Sequence, residues 1–325
     1  MKTNREKIFD FIKKRGGVRA NDIHLNFDLS RAMIHRHLKN MVENGEIIKI
    51  GTAPQVFYEV NFKKEKREEI KFKKNEEKIL EKEFYFIDPS GKELSGVDGF
   101  VLWCQRRNFD IQKKKDEFLK IYQKYKKLRE NNLINASFKI KESFGGSGCV
   151  DKIFYYDFYS LEVFGKTKIG QKILYAKQSQ DKKRIFEIVD EIEKSLKNLI
   201  KKEKIDSVIF VPPTIPREVQ FMKILENRLK LNLPKINIRK QFSDLRVPQK
   251  TLKKIKDRIE NADKTFFVVD ENLNFKKTLI IDDAVGSGAS INQIACKLKK
   301  QKNSKKVIGF SIVGSANGFD IINEV

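Results

Sequence analysis

One stretch, TLIIDDAVGSGASI from Thr278 to Ile291, constrains the fold more than any other part of the sequence. Thr278 and three apolar residues come first, two adjacent acids follow, and a run rich in glycine and serine leads into a helix-like segment opened by Ser290. A short continuous apolar run bounded by turn residues is typical of a strand that is buried on both faces of a sheet. The stretch therefore predicts a central parallel strand with a ligand-binding loop at its carboxyl end.

The same pattern continues through the C-terminal half of the chain. From about residue 185, apolar runs alternate with amphipathic segments: a long helix over 185–200, a strand over 207–212, a helix through Met222, Leu225 and Leu229, a short strand over 236–238, and the final run VIGFSIV. Buried strands separated by helices indicate an α/β fold whose parallel sheet is covered on both faces.

The loop after the predicted central strand has the chemistry of a phosphate site. Consecutive backbone N–H groups and a helix N-terminus bind a phosphate dianion, glycines allow close approach, and serine hydroxyls add donors. Asp282 and Asp283 are expected to point into the same cleft, where carboxylates accept hydrogen bonds from vicinal hydroxyls or contact a divalent cation. The predicted phosphate-binding residues are Ala284, Val285, Gly286, Ser287, Gly288, Ala289 and Ser290.

This stretch resembles the signature of type I phosphoribosyltransferases, which bind 5-phosphoribosyl 1-pyrophosphate (PRPP). The resemblance implies that Asp282 and Asp283 are the catalytic acids that hold the ribose 2′- and 3′-hydroxyls, and that the loop binds the 5′-phosphate. It also implies Mg²⁺, bound mainly through PRPP. The alternative is a strand-end acid pair that binds magnesium in another α/β protein, or a structural turn.

Flanking residues are similar to ComF-like phosphoribosyltransferases over roughly residues 155–325. The similar residues are KILYAK, FVPP with Arg217 and Gln220, and a later run of Pro248, Gln249, Leu252, Arg258, Asn261 and Phe266. The resemblance places Pro213, Thr214 and Arg217 at the pyrophosphate, and Lys250 on a mobile segment that closes over the site. Glu218 and Val219 replace a Gly-Phe pair of that family on the loop that the resemblance places at the pyrophosphate. An anion at Glu218 would weaken pyrophosphate binding there, so we expect PRPP binding and leave turnover open.

The first sixty residues form a different module. Apolar residues at helical spacing predict three helices, Ser30 is a natural N-cap of the third, and EIIKI and QVFYEV predict a hairpin. The module resembles a winged helix-turn-helix, whose third helix enters the DNA major groove. That resemblance assigns duplex DNA contact to Ser30, Arg31, His35, Arg36 and Lys39; protein docking or dimerisation is the alternative, and a homodimer is one candidate assembly.

Between these modules the sequence is less informative. Residues 61–83 are mostly Lys and Glu, which predicts a charged linker or solvated helix. Residues 84–154 form a middle segment of uncertain fold, in which Arg106, Arg107 and residues 113–115 interleave with aromatics. That mixture fits either contact with single-stranded nucleic acid or a simple amphipathic helix.

Composition adds three expectations. The chain has 68 Lys and Arg against 44 Asp and Glu, a net charge of +24 that attracts polyanions, although an AT-rich coding bias also enriches lysine. No apolar run approaches the roughly 18 residues of a spanning helix and the N-terminus is too charged for a cleavable signal, so a soluble cytoplasmic protein is expected. The chain has three cysteines, an odd number, far apart in sequence at Cys104, Cys149 and Cys296. This spacing excludes a zinc ribbon and predicts no disulfide scaffold, and it favours a reducing compartment.

The predicted scheme is a DNA-binding module over 1–60, a linker over 61–83, the middle segment over 84–154 and a phosphoribosyltransferase-like domain over 155–325. It indicates a transcriptional regulator that responds to PRPP or a nucleotide. An active phosphoribosyltransferase of nucleotide metabolism and a ComF-like DNA-processing helper are the alternatives.

Overall fold

The computed structural model describes residues 2–61, 72–270 and 273–316. The chain divides into two compact units, Met1–Leu119 and Lys120–Val325. This boundary differs from the predicted scheme, which divided the chain within residues 61–83 and again after residue 154. Helix α6 (Ile111–Lys126) runs across the boundary, and the residues that follow it belong to the sheet of the second unit.

The first unit begins with three helices and an antiparallel ribbon. The elements are α1 (Asn4–Arg15), α2 (Ala20–Asn26), α3 (Arg31–Glu43), β1 (Ile47–Ile50) and β2 (Phe57–Val60). Ser30 caps α3 as predicted, because its Oγ accepts a hydrogen bond from the Met33 N–H at 3.3 Å. Ile8, Ile12, Leu38 and Met41 pack in the core between the helices and the ribbon.

The rest of the first unit is a second, aromatic cluster. Its elements are α4 (Lys74–Glu83), β3 (Tyr85–Ile87), β4 (Glu93–Ser95), α5 (Gly96–Arg106) and the start of α6. The rings of Phe84, Phe100, Trp103 and Phe118 stack or meet edge to face, with centroids 5.0–6.1 Å apart. The predicted middle segment is therefore a folded part of this unit up to residue 119.

The second unit is built on a six-stranded, mostly parallel sheet in the order β10-β13-β14-β7-β6-β5. The first four strands are parallel, and β6 and β5 complete one edge in antiparallel pairing. The strands are β5 (Arg129–Glu130), β6 (Leu133–Asn135), β7 (Lys152–Phe158), β10 (Ser207–Phe210), β13 (Phe275–Val285) and β14 (Ser304–Gly314).

Helices and two short ribbons surround this sheet. The helices are α7 (Ser137–Phe144), α8 (Lys168–Ser179), α9 (Lys182–Glu203), α10 (Phe221–Leu229), α11 (Ile255–Thr265) and α12 (Ala289–Lys300). The ribbons pair β8 (Ser160–Leu161) with β9 (Gly165–Lys166), and β11 (Ile238–Lys240) with β12 (Phe266–Val268). Buried aliphatic residues of α8, α9 and α10 share one core with the sheet, which confirms the predicted α/β class.

Two details at the end of the central strand differ from the sequence prediction. Strand β13 continues through Val285, which pairs with Gly314 of β14, so Ala284 and Val285 belong to the strand and the loop shortens to residues 286–288. The helix begins at Ala289, not Ser290, since Gly288 has a φ of +79° and is the N-cap. Hydrogen bonding to β14, which also has eleven residues, extends β13 beyond its apolar run.

The prediction that the chain has no disulfide is wrong. Cys149 and Cys296 are bonded with Cα atoms 5.1 Å apart, although 147 residues separate them in sequence. Strand β7 follows Cys149 and lies next to β14, while α12 carries Cys296, so the parallel sheet brings them together. In the described ranges, no helix combines the length and apolar character that a bilayer span requires.

Candidate functional site

A cavity of about 200 Å³ lies at the carboxyl ends of β10 and β13. Parallel strands deliver their following residues to one edge of a sheet, so residues distant in sequence meet here. The cavity brings together five of the predicted site residues, Pro213, Thr214, Arg217, Asp282 and Asp283. It also contains Lys177 of α8, which the sequence prediction did not assign to the site.

The two acids are adjacent on β13 yet have different surroundings. The Nζ atom of Lys177 lies 2.6 Å from Oδ2 of Asp283. The Oδ1 atom of Asp282 accepts a hydrogen bond from the Asp283 N–H at 2.8 Å. Burial raises the pKa of Asp282 to about 7, the charge of Asp283 adds to this rise, and Lys177 and Lys240 oppose it.

Lys240 ends strand β11 beside this pair. Its Nζ atom donates a hydrogen bond to Oγ1 of Thr214 at 2.5 Å. Burial lowers the pKa of Lys240 to about 8, against an opposing effect of Asp282. The ammonium group therefore lies in a desolvated position, where electrostatic attraction to an anionic ligand is stronger than in water.

Arg217 also lines the cavity. Its guanidinium donates a hydrogen bond to the carbonyl oxygen of Lys177, which ties the segment after β10 to the end of α8. Glu218, which the sequence placed near the pyrophosphate, is exposed and is not among the described residues that line the cavity. Its carboxylate therefore does not oppose an anion in this cavity.

The loop between β13 and α12 has the features of an anion cradle. In the described part of the chain, the N–H groups of Gly286, Ser287 and Gly288 meet no hydrogen-bond acceptor. The Oγ of Ser287 accepts a hydrogen bond from the Ala289 N–H at 3.3 Å. Three uncommitted N–H groups at the start of a twelve-residue helix are suited to a phosphate.

None of residues 286–288 is among the described residues that line the 200 Å³ cavity. Ser287 is 4% exposed, and Gly288 and Ala289 are also buried. A Cβ atom at Gly288 would lie 3.0 Å from Cδ1 of Ile140 and 3.9 Å from a ring carbon of Phe144, both on α7. The acid pair and the loop are thus consecutive on the chain, but α7 covers the loop.

The run that resembles ComF-like enzymes has a structural role here. The Nε2 atom of Gln249 donates to the carbonyl oxygen of Arg258 and to Oδ1 of Asn261, at 3.0 and 2.9 Å. Buried Arg258 donates in turn to the carbonyl oxygen of Leu252. These bonds fold the segment before α11, of which Pro248 lines the cavity. The predicted role of Lys250 concerns a side chain outside the described residues.

The sequence prediction missed Lys177 and Lys240. Lys177 is the last residue of the segment KILYAK, whose sequence predicts a helix but no role for this lysine. Nothing in sequence distinguishes Lys240 from the other lysines of this lysine-rich chain. Only the tertiary structure, which brings Lys177 of α8 and Lys240 of β11 close to the acid pair, identifies them.

In the first unit, α3 exposes the side chains assigned to DNA. Arg31, His35, Arg36 and Lys39 are exposed, and Ser30 is exposed at the helix start. Among the described residues, neither Arg31 nor Arg36 has a carboxylate within ion-pair distance, and Lys39 has only a long 3.8 Å contact with Glu43. These charges are available to a phosphate backbone.

The cations of the predicted middle segment are engaged within the first unit. Arg106 pairs with Glu59 at 3.0 Å, and the guanidinium of Arg107 lies over the Trp103 ring. Lys115 is buried and pairs with Glu76 at 2.9 Å. These contacts favour the amphipathic-helix interpretation over a surface for single-stranded nucleic acid.

Within the ranges described, no three His, Cys, Asp or Glu side chains cluster closely enough to hold a metal ion. Asp282 and Asp283 supply carboxylate oxygens, the ligand type that Mg²⁺ prefers. No protein-family model and no curated protein matches the sequence of this chain.

Proposed function

We propose that this chain is a DNA-binding protein whose second unit binds PRPP with Mg²⁺ and whose DNA binding responds to that ligand. One observation carries the proposal: two acids at the end of a central parallel strand are followed at once by a helix N-terminus and by three N–H groups that meet no acceptor among the described residues. Acceptors for hydroxyls and donors for a phosphate stand side by side, which is what a phosphorylated ribose requires.

The surrounding cations extend this match. With the ribose hydroxyls at Asp282 and Asp283 and the 5′-phosphate at residues 286–290, the pyrophosphate falls toward Pro213, Thr214 and Arg217. Lys240 adds a positive charge on that side through its contact with Thr214. Mg²⁺ bound to PRPP would neutralise part of the pyrophosphate charge. Lys177 contacts Oδ2 of Asp283, and a carboxylate accepts more than one hydrogen bond, so a ribose hydroxyl can share this carboxylate with the lysine.

Calorimetric titration of the full chain with PRPP and Mg²⁺ tests the binding. Replacing both Asp282 and Asp283 by Asn should abolish the heat of binding while circular dichroism stays unchanged. Asp190→Asn, which alters an exposed carboxylate paired with Arg228 on the second unit, is the matched control and should bind normally. Equal binding by the double variant would move the ligand elsewhere.

The regulatory part rests on the exposed cations of α3. The arrangement of three helices and a ribbon resembles a winged helix-turn-helix, and Arg31 and Arg36, which have no carboxylate within ion-pair distance among the described residues, suit phosphate contacts. Titration of labelled duplex DNA with and without PRPP-Mg²⁺ measures the coupling directly. Identical affinities and salt dependences in both conditions would leave a DNA-binding protein that does not sense PRPP.

A second function, transfer of the phosphoribosyl group to a nucleophilic nitrogen, has one observation in its favour. Glu218 is exposed, whereas Arg217 lines the cavity, so the charge that spoke against pyrophosphate binding is not in the cavity. Release of pyrophosphate from PRPP in the presence of a panel of purine and pyrimidine bases distinguishes this enzyme from a sensor. No release with any base, together with measurable PRPP binding, supports the sensor.

A further inference from the structure

Residues 137–148, which comprise α7 and the glycine-rich turn after it, form a cover over the loop 286–288. Ile140 and Phe144 of the cover lie against Gly288. A Cβ atom at Gly148 would lie 2.5 Å from Cγ2 of Ile140, so the turn packs closely against its own helix. The cover therefore packs against Gly288, the last residue of the loop, and Ser287 beside it is 4% exposed.

The disulfide fastens the end of this cover to the helix that the loop begins. Cys149 follows the cover directly, and Cys296 lies on α12. Asn292 reinforces the attachment: its Oδ1 accepts a hydrogen bond from the Cys149 N–H at 2.8 Å, and its Nδ2 lies 3.8 Å from Sγ of Cys296. The Asn292 N–H donates to the carbonyl oxygen of Gly288 at 2.8 Å. The disulfide and Asn292 thus connect the end of the cover to the loop through α12.

We propose that thiol–disulfide exchange at Cys149 and Cys296 controls access of a phosphate group to the loop 286–288. This inference rests on the proposed PRPP function. In the oxidised protein the bond holds the cover on the loop and binding is weak. In the reduced protein the cover is released at Gly145 and Gly146, two exposed glycines with open space around them, and the loop becomes accessible.

Small-molecule disulfides and dithiols supply the oxidant and the reductant for the two directions of this exchange. Oxidation removes two protons and two electrons from the thiols of Cys149 and Cys296, forms one S–S bond, and reduces a small-molecule disulfide to two thiols. Reduction by a dithiol takes two steps. Its first thiolate attacks one protein sulfur and forms a mixed disulfide, and its second thiolate then attacks that mixed disulfide, which releases the second protein thiol and leaves the reagent oxidised. Both cysteines are partly exposed, so a reagent reaches them, whereas Cys104 is buried in the first unit.

The test compares the full chain oxidised with glutathione disulfide and reduced with a phosphine, each state verified by intact mass after alkylation. Calorimetry with PRPP-Mg²⁺ should show at least tenfold tighter binding by the reduced protein. The double variant Cys149→Ser with Cys296→Ser should bind like reduced protein under both conditions. Cys104→Ser is the matched control and should keep the full response. Ile140→Ala should bind more tightly than wild type when both are oxidised.

Hydrogen exchange supplies a readout that does not depend on PRPP. Amides of residues 137–148 and 286–290 should exchange faster after reduction. Equal PRPP affinity in the two verified states would overturn the switch while the proposed function stands. If PRPP binds in neither state, the proposed function fails. In that case hydrogen exchange still tests the switch: unchanged exchange of the amides of residues 137–148 and 286–290 after reduction would reject it, and faster exchange would support release of the cover.

Discussion

Lys177 and Asp283 form an ion pair with 2.6 Å between Nζ and Oδ2, and this pair makes two neighbouring aspartates chemically unequal. The Asp283 carboxylate has a cation in direct contact. Asp282 faces burial and the negative charge of Asp283, so its pKa is raised to about 7. The end of β13 therefore holds one carboxylate in an ion pair, that of Asp283, and beside it the carboxyl group of Asp282 with its raised pKa.

Asp282→Asn should stabilise the protein above neutral pH. In the unfolded chain an Asp has a pKa of about 3.9, so the folded protein binds the proton more tightly than the unfolded one. The stability that this carboxyl group contributes is complete below pH 4 and is lost as pH rises through 7. We expect the variant's melting temperature to exceed that of wild type at pH 8 and to match it near pH 4. Asp244→Asn, an exposed loop change, should show no such crossover.

Lys240→Met should weaken PRPP-Mg²⁺ binding at pH 7 and remove part of its pH dependence. Since the pKa of Lys240 is lowered to about 8, the wild-type amine loses its charge as pH rises through 8. Wild-type affinity should therefore fall between pH 7 and 9, and that of the variant should fall less. Calorimetry at several pH values measures this difference. Parallel pH profiles would show that Lys240 does not contact the ligand's charge.

Arg36→Ala should weaken binding to duplex DNA without changing the fold. If Arg36 contacts one phosphate, the slope of log affinity against log salt should become shallower by about 0.9. Lys7→Ala removes the same charge from an exposed position on α1 and is the control. Fluorescence anisotropy over a salt series provides both slopes. An unchanged slope for Arg36→Ala would favour protein docking by this module.

Gly288→Ala should destabilise the second unit by about 1–2 kcal/mol, because a left-handed residue with a Cβ is strained. The φ of Gly288 is +79°, and the new methyl group would lie 3.0 Å from Cδ1 of Ile140. Adding Ile140→Ala should relieve the contact but not the backbone strain. Because Ile140 is buried, its own truncation is also destabilising, so thermal unfolding compares the double variant with Ile140→Ala alone. A double variant as stable as Ile140→Ala would assign the whole effect of Gly288→Ala to the contact.

Periodicity and local chemistry were sufficient for the parts of this protein that depend on neighbours in sequence. The buried run before Asp282 predicted a central strand, and Ser30 predicted the start of α3, since strands and helix caps follow from residues only a few positions apart. The α/β class followed from the same alternation of apolar runs and helices.

The amino-acid sequence thus determined the helices and ribbon of residues 1–60, the alternation of helices and strands after about residue 185, the α/β class, and the acid pair with its glycine and serine loop. The tertiary structure alone decided where β13 ends, because that depends on pairing with β14. It also decided that Lys177 and Lys240 flank the acids, that Cys149 bonds Cys296, and that Ile140 covers Gly288. Each of these contacts joins segments far apart in the chain, and only packing of the helices on the sheet brings such segments within reach.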